Sequence, residues 1–222
     1  MQNGSQVSLN TEAFDTNCAF CQRNDIAFNI LKETRFFLLV TDHAPLIEGH
    51  ILIIPKSHFA CYGAVPRELD AELYALKQEV QQFFIRYYVP AVFWEHGVFR
   101  QTVFHAHLHC FPFGDTEYNL SDQLHSRVVR SQDDIRAWYT TEEQYFYMED
   151  ESNALLFAPN IDHYMHIIKD VLWHGVSTRA KHTHWRSQQQ RFAEGGPLIT
   201  ATKHKWREFQ EQGAAYADET SA

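Results

Sequence analysis

Three histidines stand at alternate positions in the stretch His105-Ala106-His107-Leu108-His109, followed by Cys110 and Phe111. On an extended chain, successive side chains point to opposite faces. The three imidazoles therefore share one face, and Ala106, Leu108 and Cys110 share the other. Imidazole titrates near pH ~6.5, so each ring can serve near neutrality as a metal ligand, a nucleophile or a proton donor. Two jobs suit such a row: holding a metal, or supplying a nucleophile whose neighbours tune it. A chance cluster is the alternative in a chain with 14 histidines, and the regular alternation with apolar residues argues against it. A catalytic three-histidine metal site is disfavoured as well. Alternate residues of one strand lie about 6.6 Å apart at Cα and their side chains diverge, so a third ligand from the same strand is awkward.

The elements that must position this row are visible upstream. Residues 49–58 read Gly-His-Ile-Leu-Ile-Ile-Pro-Lys-Ser-His, an aliphatic, β-branched run closed by Pro55. A buried strand is predicted over 50–54 and another over 35–40, joined by the 42–49 loop. Leu69, Leu73, Leu76, Val80, Phe83 and Phe84 recur at three and four, which predicts a helix over 66–88, with Pro66 at its start and Pro90 as a stop. Residues 92–95 and 101–111 predict two paired strands linked by a turn around Gly97. Beyond Pro112, residues 144–148 and 154–158 predict a hairpin, and 161–174 a helix ending near Gly175. Residues 178–207 hold seven lysines or arginines, Arg191 among them, against one acid, Glu194. The chain divides into a flexible lead (1–16), a first module (17–115), an extension (116–209) and a loose acidic tail (210–222).

Composition narrows the function classes. A hydrophobic fraction of 45% supports a real core in 222 residues, and the net charge of −9 disfavours nucleic acid or anionic membranes as partners. No apolar run approaches the ~20 residues that span a bilayer, and the polar N-terminus lacks the apolar core of a signal peptide. A cytoplasmic protein is expected. Its four cysteines, two of them in Cys18-Ala-Phe-Cys21, fit a metal site or free thiols better than a disulfide framework.

The chain resembles the histidine-triad (HIT) family of nucleotide hydrolases and transferases. Four features carry the resemblance over residues 16–115: the triad itself; Gly49-His50 followed by four aliphatics, Pro55 and Lys56; Asp42 eight positions before His50; and Gln101-Thr102 just before the triad. The resemblance implies an α+β fold, an antiparallel five-stranded sheet with a crossing helix, here followed by a mixed hairpin and helical extension. It implies attack by His107 on a nucleotide's α-phosphorus and a nucleotidyl-histidine that water then cleaves. His109, His105 and His50 would tune His107 or meet phosphate oxygens. Gln101 and Thr102 would serve catalysis and substrate binding, Thr102 as donor to the leaving-group oxygen, and Asp42 would accept ribose hydroxyls. Substrates would be dinucleoside polyphosphates or nucleoside phosphoramidates. Alternatives are a nucleotidyltransferase or phosphorylase of the same superfamily, or a nucleotide-binding protein without turnover.

The retained His109 favours hydrolysis, since the galactose-1-phosphate uridylyltransferase branch has glutamine there. Several bacterial members bind zinc through a cysteine pair, the histidine after Pro-Lys and the first triad histidine. This implies a closed structural zinc site of Cys18, Cys21, His58 and His105. No organic cofactor is implied. One departure concerns substrate: Phe99 and Arg100 precede Gln101 where a small residue is usual, and Glu95-His96-Gly97 stands where an asparagine usually falls. Arg100 is read as a contact to the phosphate chain, with a solvated turn residue as the alternative. HIT domains often pair into homodimers through a sheet edge, and the extension is a candidate to cover that edge.

Overall fold

A computed structural model describes residues 14–118, 126–180 and 187–219, with side chains through residue 213. Eight strands among these residues form one sheet: β1 (Ile30–Glu33), β2 (Phe37–Thr41), β3 (Ile51–Pro55), β4 (Ala91–Glu95), β5 (Leu108–Pro112), β6 (Ser126–Val128), β7 (Phe146–Glu149) and β8 (Ala154–Phe157). Their order is β1-β2-β3-β5-β4-β7-β8-β6, and every pairing is antiparallel. The first five strands are the expected five-stranded sheet. The extension does not stand apart from it. The β7–β8 hairpin pairs with β4 through Trp94↔Met148, so the strand edge that a five-stranded module would leave open at β4 is filled from within the chain.

Beside three short 3-10 turns and one π-helical segment, the described residues form seven α-helices: α1 (Arg23–Ile26), α2 (Asp70–Tyr87), α3 (Gln132–Glu142), α4 (Ile161–His166), α5 (His174–Arg179), α6 (Gln188–Glu194) and α7 (Gly196–Glu219). The apolar stripe of α2 (Leu73, Leu76, Val80, Phe83, Phe84) packs on one face of the sheet with Leu39, Ile53, Phe93, Leu108 and Cys110. On the other face, Val92, Trp94, Phe111 and Phe146 meet Ile167, Val171 and Leu172. Those three residues belong to a π-helical segment, Ile167–Trp173, that joins α4 to α5 without a break. The predicted helix therefore runs on to Arg179 instead of stopping near Gly175. With both faces covered, β2 and β3 are buried at every position, as their continuous apolar runs require. The expected loose tail is helical through Glu219, and α7 packs back against α2: Trp206 meets Phe83 edge-on at 4.9 Å. Most of the expected flexible lead, residues 1–13, lies outside the described residues.

Gly49 precedes the buried His50 at φ +84, a conformation that favours glycine, and a Cβ there would lie 2.9 Å from Pro112. Its N–H donates to Thr202 Oγ1 at 2.9 Å, which ties α7 to the entry of β3. Gly97 sits at φ +52 with the Tyr145 ring 2.4 Å from any added Cβ, so this turn too is closed to side chains.

The sheet encloses one carboxylate far from solvent. Glu95, 1% exposed, accepts the Tyr145 hydroxyl at 2.6 Å and the Tyr62 N–H at 2.7 Å. Burial, only partly offset by these two bonds, pushes its pKa up from 4.5 to about 7. Between those values the folded chain holds a proton that the unfolded chain has released. Glu95 therefore lowers stability progressively as pH rises from 4.5 to 7, by roughly 3 kcal/mol in all. Glu95→Gln removes this slope. The stability difference between variant and wild type is expected to shift in favour of the variant from pH 5 to pH 8, measured by thermal melts across that range. A difference independent of pH would contradict it.

Candidate functional site

A cavity of about 380 Å³ opens on the π-helical face of the sheet, with His50, His107 and His109 on its floor. The predicted alternation holds from Ala106 onward: Ala106, Leu108 and Cys110 enter the core beneath α2, and His107, His109 and Phe111 face the other way. The three imidazoles do not share one face, because His105, ahead of the strand, turns to Cys18 and Cys21. The strand itself is shorter than expected. β5 begins at Leu108, and residues 96–107 form a loop in which Val98 and Arg100 have positive φ.

Hydrogen bonds fix where each imidazole carries its proton. His107 Nδ1 lies 2.6 Å from the His105 carbonyl, which can only accept, so the proton is on Nδ1 and Nε2 keeps its lone pair. The Gln101 amide donates to the same carbonyl at 2.9 Å and braces it. The Leu46 N–H, which can only donate, lies 3.3 Å from His50 Nδ1, so the His50 proton is on Nε2. That atom faces His109 Nδ1 at 2.9 Å, which leaves the His109 proton on Nε2.

The row is neutral as well as oriented. Burial lowers His50 to about 4 against the upward pull of Asp42, and Arg191, His107 and His43 push the same way as burial. Burial also lowers His107, against the His105 carbonyl and Asp42. His109 is held well below its usual value by burial, reinforced by His107, His50, His96 and Arg191. Asp42 is held below its ordinary value: burial would raise it, but the Ala44 N–H at 2.7 Å and the positive charge of Arg191 oppose this, with His50 the largest opposing group, and His43 a further one, when protonated. Its Oδ2 stands 3.7 Å from His50 Nε2. Asp42, His50 and His109 bring one ligand atom each within 4.8 Å of one another, but the two imidazoles already satisfy each other by a hydrogen bond.

A second cluster lies behind the cavity. Cys18 Sγ is 3.4 Å and Cys21 Sγ 3.6 Å from His105 Nδ1, and His58 Nδ1 is 3.4 Å from Cys21 Sγ. All four ligand atoms lie within 4.8 Å of one another. A tetrahedral zinc with bonds of ~2.3 Å to sulfur and ~2.05 Å to nitrogen gives S···N edges of roughly 3.6 Å, so the donor set fits that ion. His105 donates its other nitrogen, Nε2, to the Pro55 carbonyl at 2.8 Å, the arrangement that orients a ligating imidazole. Between the two cysteines, Phe20 reaches the cavity, with its ring centroid 5.2 Å from that of His107.

Of the predicted site residues, Asp42, His50, Arg100, Thr102, His107 and His109 all line the cavity. Gln101 and His105 do not. Gln101 acts on backbone behind it, and His105 turns to the cysteines. Sequence reasoning did not single out three further lining residues, Trp94 on β4, Tyr164 on α4 and Arg191 on α6, and noted His96, just after β4, only as a departure from the family pattern. Arg191 was visible only as part of a basic stretch; its Nη1 donates to the Ala44 carbonyl at 2.7 Å. Tyr164, Ile168 and Leu172 recur every fourth residue, and all three line the cavity.

A family model described as "Protein similar to CwfJ C-terminal" matches residues 7–126. The chain is 31% identical over 106 residues to the adenosine 5'-monophosphoramidase hnt1 of Schizosaccharomyces pombe, covering 47% of this chain and 80% of that protein. Similar solved structures include a zinc-bound histidine triad family protein from Mycobacterium smegmatis (27% identical, 57% of this chain and 96% of that chain, TM-score 0.38). Another is a hypothetical protein from Leishmania major (26% identical, 57% of this chain and 94% of that chain, TM-score 0.41). With the triad and its flanking motifs folded around one cavity and these sequence matches beside them, the chain belongs to the histidine-triad family.

Proposed function

We propose that the protein is a hydrolase that cleaves at the α-phosphorus of a nucleotide, in a phosphoanhydride or a phosphoramidate, through a nucleotidyl-histidine on His107. The observation that carries this reading is the tautomer of His107: its Nδ1 proton is held by a backbone carbonyl and its Nε2 lone pair is free at neutral pH. Attack by Nε2 forms a P–N bond as the bond from phosphorus to the leaving oxygen or nitrogen breaks, with its electron pair going to the leaving atom. The Thr102 hydroxyl is the nearby donor for that atom. His109 Nε2–H, oriented through His50 and the Leu46 N–H, donates to a non-bridging oxygen and stabilises charge as it develops. Water then cleaves the P–N bond, releasing the nucleoside monophosphate and restoring His107. Asp42, ionised beside apolar Leu46 and Leu52, suits ribose hydroxyls with the base against the apolar wall.

We also propose that Cys18, Cys21, His58 and His105 hold a structural zinc, which when bound would cross-link the N-terminal segment to the triad loop. The four free buried cysteines suit a reducing compartment such as the cytosol. Among the described residues no helix is long and apolar enough to cross a membrane. Product analysis with diadenosine tetraphosphate, diadenosine triphosphate and adenosine phosphoramidate tests the hydrolase reading: AMP release by wild type and not by His107→Ala is expected. Turnover of none of the three would contradict it.

A further inference from the structure

The loop between Asp42 and His50 is held from outside by the extension. Arg191 Nη1 donates to the Ala44 carbonyl at 2.7 Å, Lys205 Nζ donates to Glu48 at 2.7 Å, and Thr202 Oγ1 accepts the Gly49 N–H at 2.9 Å. At the first of these anchors, one side of α6 meets three consecutive loop residues. Beside the Arg191 bond to Ala44, the Phe192 ring lies 5.8 Å from that of His43, and a Cβ on Gly195 would come 2.7 Å from Pro45. A helix of seven residues is marginal alone. α6 is fixed by a capping box, in which the Gln190 N–H bonds Ser187 Oγ at 3.2 Å, and leads through Gly195 into α7.

What this loop presents to the cavity decides the proton order of the triad. The Leu46 N–H holds the lone pair of His50 Nδ1, so His50 Nε2–H faces His109 Nδ1 and His109 Nε2 is left a donor. At 3.3 Å the Leu46 bond is longer than the 2.9 Å His50–His109 bond, so a shift of the loop breaks it first. With His50 in its other tautomer, Nε2 would accept from His109 Nδ1, and His109 Nε2 would carry no proton. Asp42 Oδ2, 3.7 Å from His50 Nε2, favours the observed order, but it depends on the same residue: the Ala44 N–H bonds Asp42 Oδ1 at 2.7 Å. Ala44 thus meets Asp42 with its N–H and Arg191 with its carbonyl. The Arg191 charge also adds to burial in keeping His50 and His109 neutral.

We infer that Arg191 is a positioning residue: by clamping the Ala44 carbonyl it holds the Leu46 N–H on His50 and so keeps the His109 proton on Nε2, where the reaction needs a donor. Its effect on rate rests on the proposed nucleotide reading, whereas the proton order it sets belongs to the resting protein. A bond from a guanidinium to a carbonyl is charge-assisted and among the stronger ones a loop can be given. Arg191 acts through His109 and not on the substrate. The extension thereby becomes part of the reaction centre, since the helix that orders the loop lies some 80 residues beyond the triad.

The test is a double-mutant cycle on the full chain, read on the best nucleotide substrate. Arg191→Met keeps the aliphatic stem and removes the donor. It should lower kcat at least about tenfold in the wild-type background and less than about twofold in His109→Ala, because residues that act as one unit are not additive. Arg191→Gln, whose amide is too short to reach Ala44, stands in if the methionine variant does not fold. Phe192→Leu trims the other α6 contact and leaves the clamp, so it should cost less than about threefold. Independently of turnover, nitrogen-15 shifts of the rings should show His109 protonated at Nε2 and bare at Nδ1 in the wild type, and the two nitrogens averaging in Arg191→Met. Additive losses in the cycle, an equal loss in Phe192→Leu, or an unaltered His109 pattern in Arg191→Met overturns the inference and leaves the nucleotide reading standing. If the wild type turns over no nucleotide, that reading falls, and the ring shifts alone decide the inference.

Discussion

His107→Ala is expected to lower turnover of the best nucleotide substrate by at least about 10⁴-fold, because its neighbours His50 and His109 cannot take over as nucleophile. His50 and His109 already use one nitrogen each in their mutual hydrogen bond, and the proton order set by Leu46 makes His109 Nε2 a donor. The fold should survive. The His105 carbonyl keeps the Gln101 amide, and the removed ring lies against the cavity, so no buried core group loses its partner. AMP binding is therefore retained while the chemistry is lost, which steady-state kinetics and calorimetry on the same preparation would show. His109→Ala should be milder, about 10²–10³-fold, since it removes one stabilising donor and leaves the nucleophile. Near-equal losses for the two variants would argue that neither ring attacks phosphorus.

The second large effect concerns the cysteine cluster. Purified protein should carry close to one equivalent of zinc, and Cys21→Ser should lose it. A structural zinc site supplies folding free energy directly. A loss of about 3 kcal/mol would lower Tm by roughly 6–12 °C in a chain of this size. Activity should fall with the metal for a geometric reason. His105 offers Nδ1 to the cysteines, and its carbonyl holds the Nδ1 proton of His107. Phe20, between the two cysteines, forms part of the cavity wall. Loosening that segment should lower kcat and raise KM together. Less than about a third of an equivalent of zinc, or an unchanged Tm in Cys21→Ser, would contradict the assignment.

Much of this site could be read from the chain because it is written in local spacing. The alternation at 106–111 dictated which residues face the core, while His105 escaped it by turning to the cysteines, and the apolar run after His50 dictated a buried strand. Even the convergence of Cys18 and Cys21 with His58 and His105, distant in sequence, followed from the family resemblance and is met by the geometry. What escaped depends on tertiary partners. Residues 101–107 look like strand by pattern, yet Ala106 N–H bonds to the Phe59 carbonyl at 2.6 Å and positive φ at Val98 and Arg100 bends the chain away from β4. Nothing in residues 144–158 says that their hairpin will pair with β4, because that choice belongs to the partner strand. α3 is a different kind of omission: Ser131 and Asp134 form a capping box that the sequence displayed and spacing alone would have revealed. The cavity's second wall is the deepest omission. Tyr164 and Arg191 acquire meaning only when the extension folds over the triad.

The central claim is a double displacement through His107, and stereochemistry at the α-phosphorus tests it most directly. A substrate made chiral there with sulfur, hydrolysed in oxygen-18 water, reports the number of in-line displacements. Two displacements, one by His107 and one by water, predict net retention. Net inversion would mean that water attacks phosphorus itself, and the nucleophilic role of His107 would have to be abandoned.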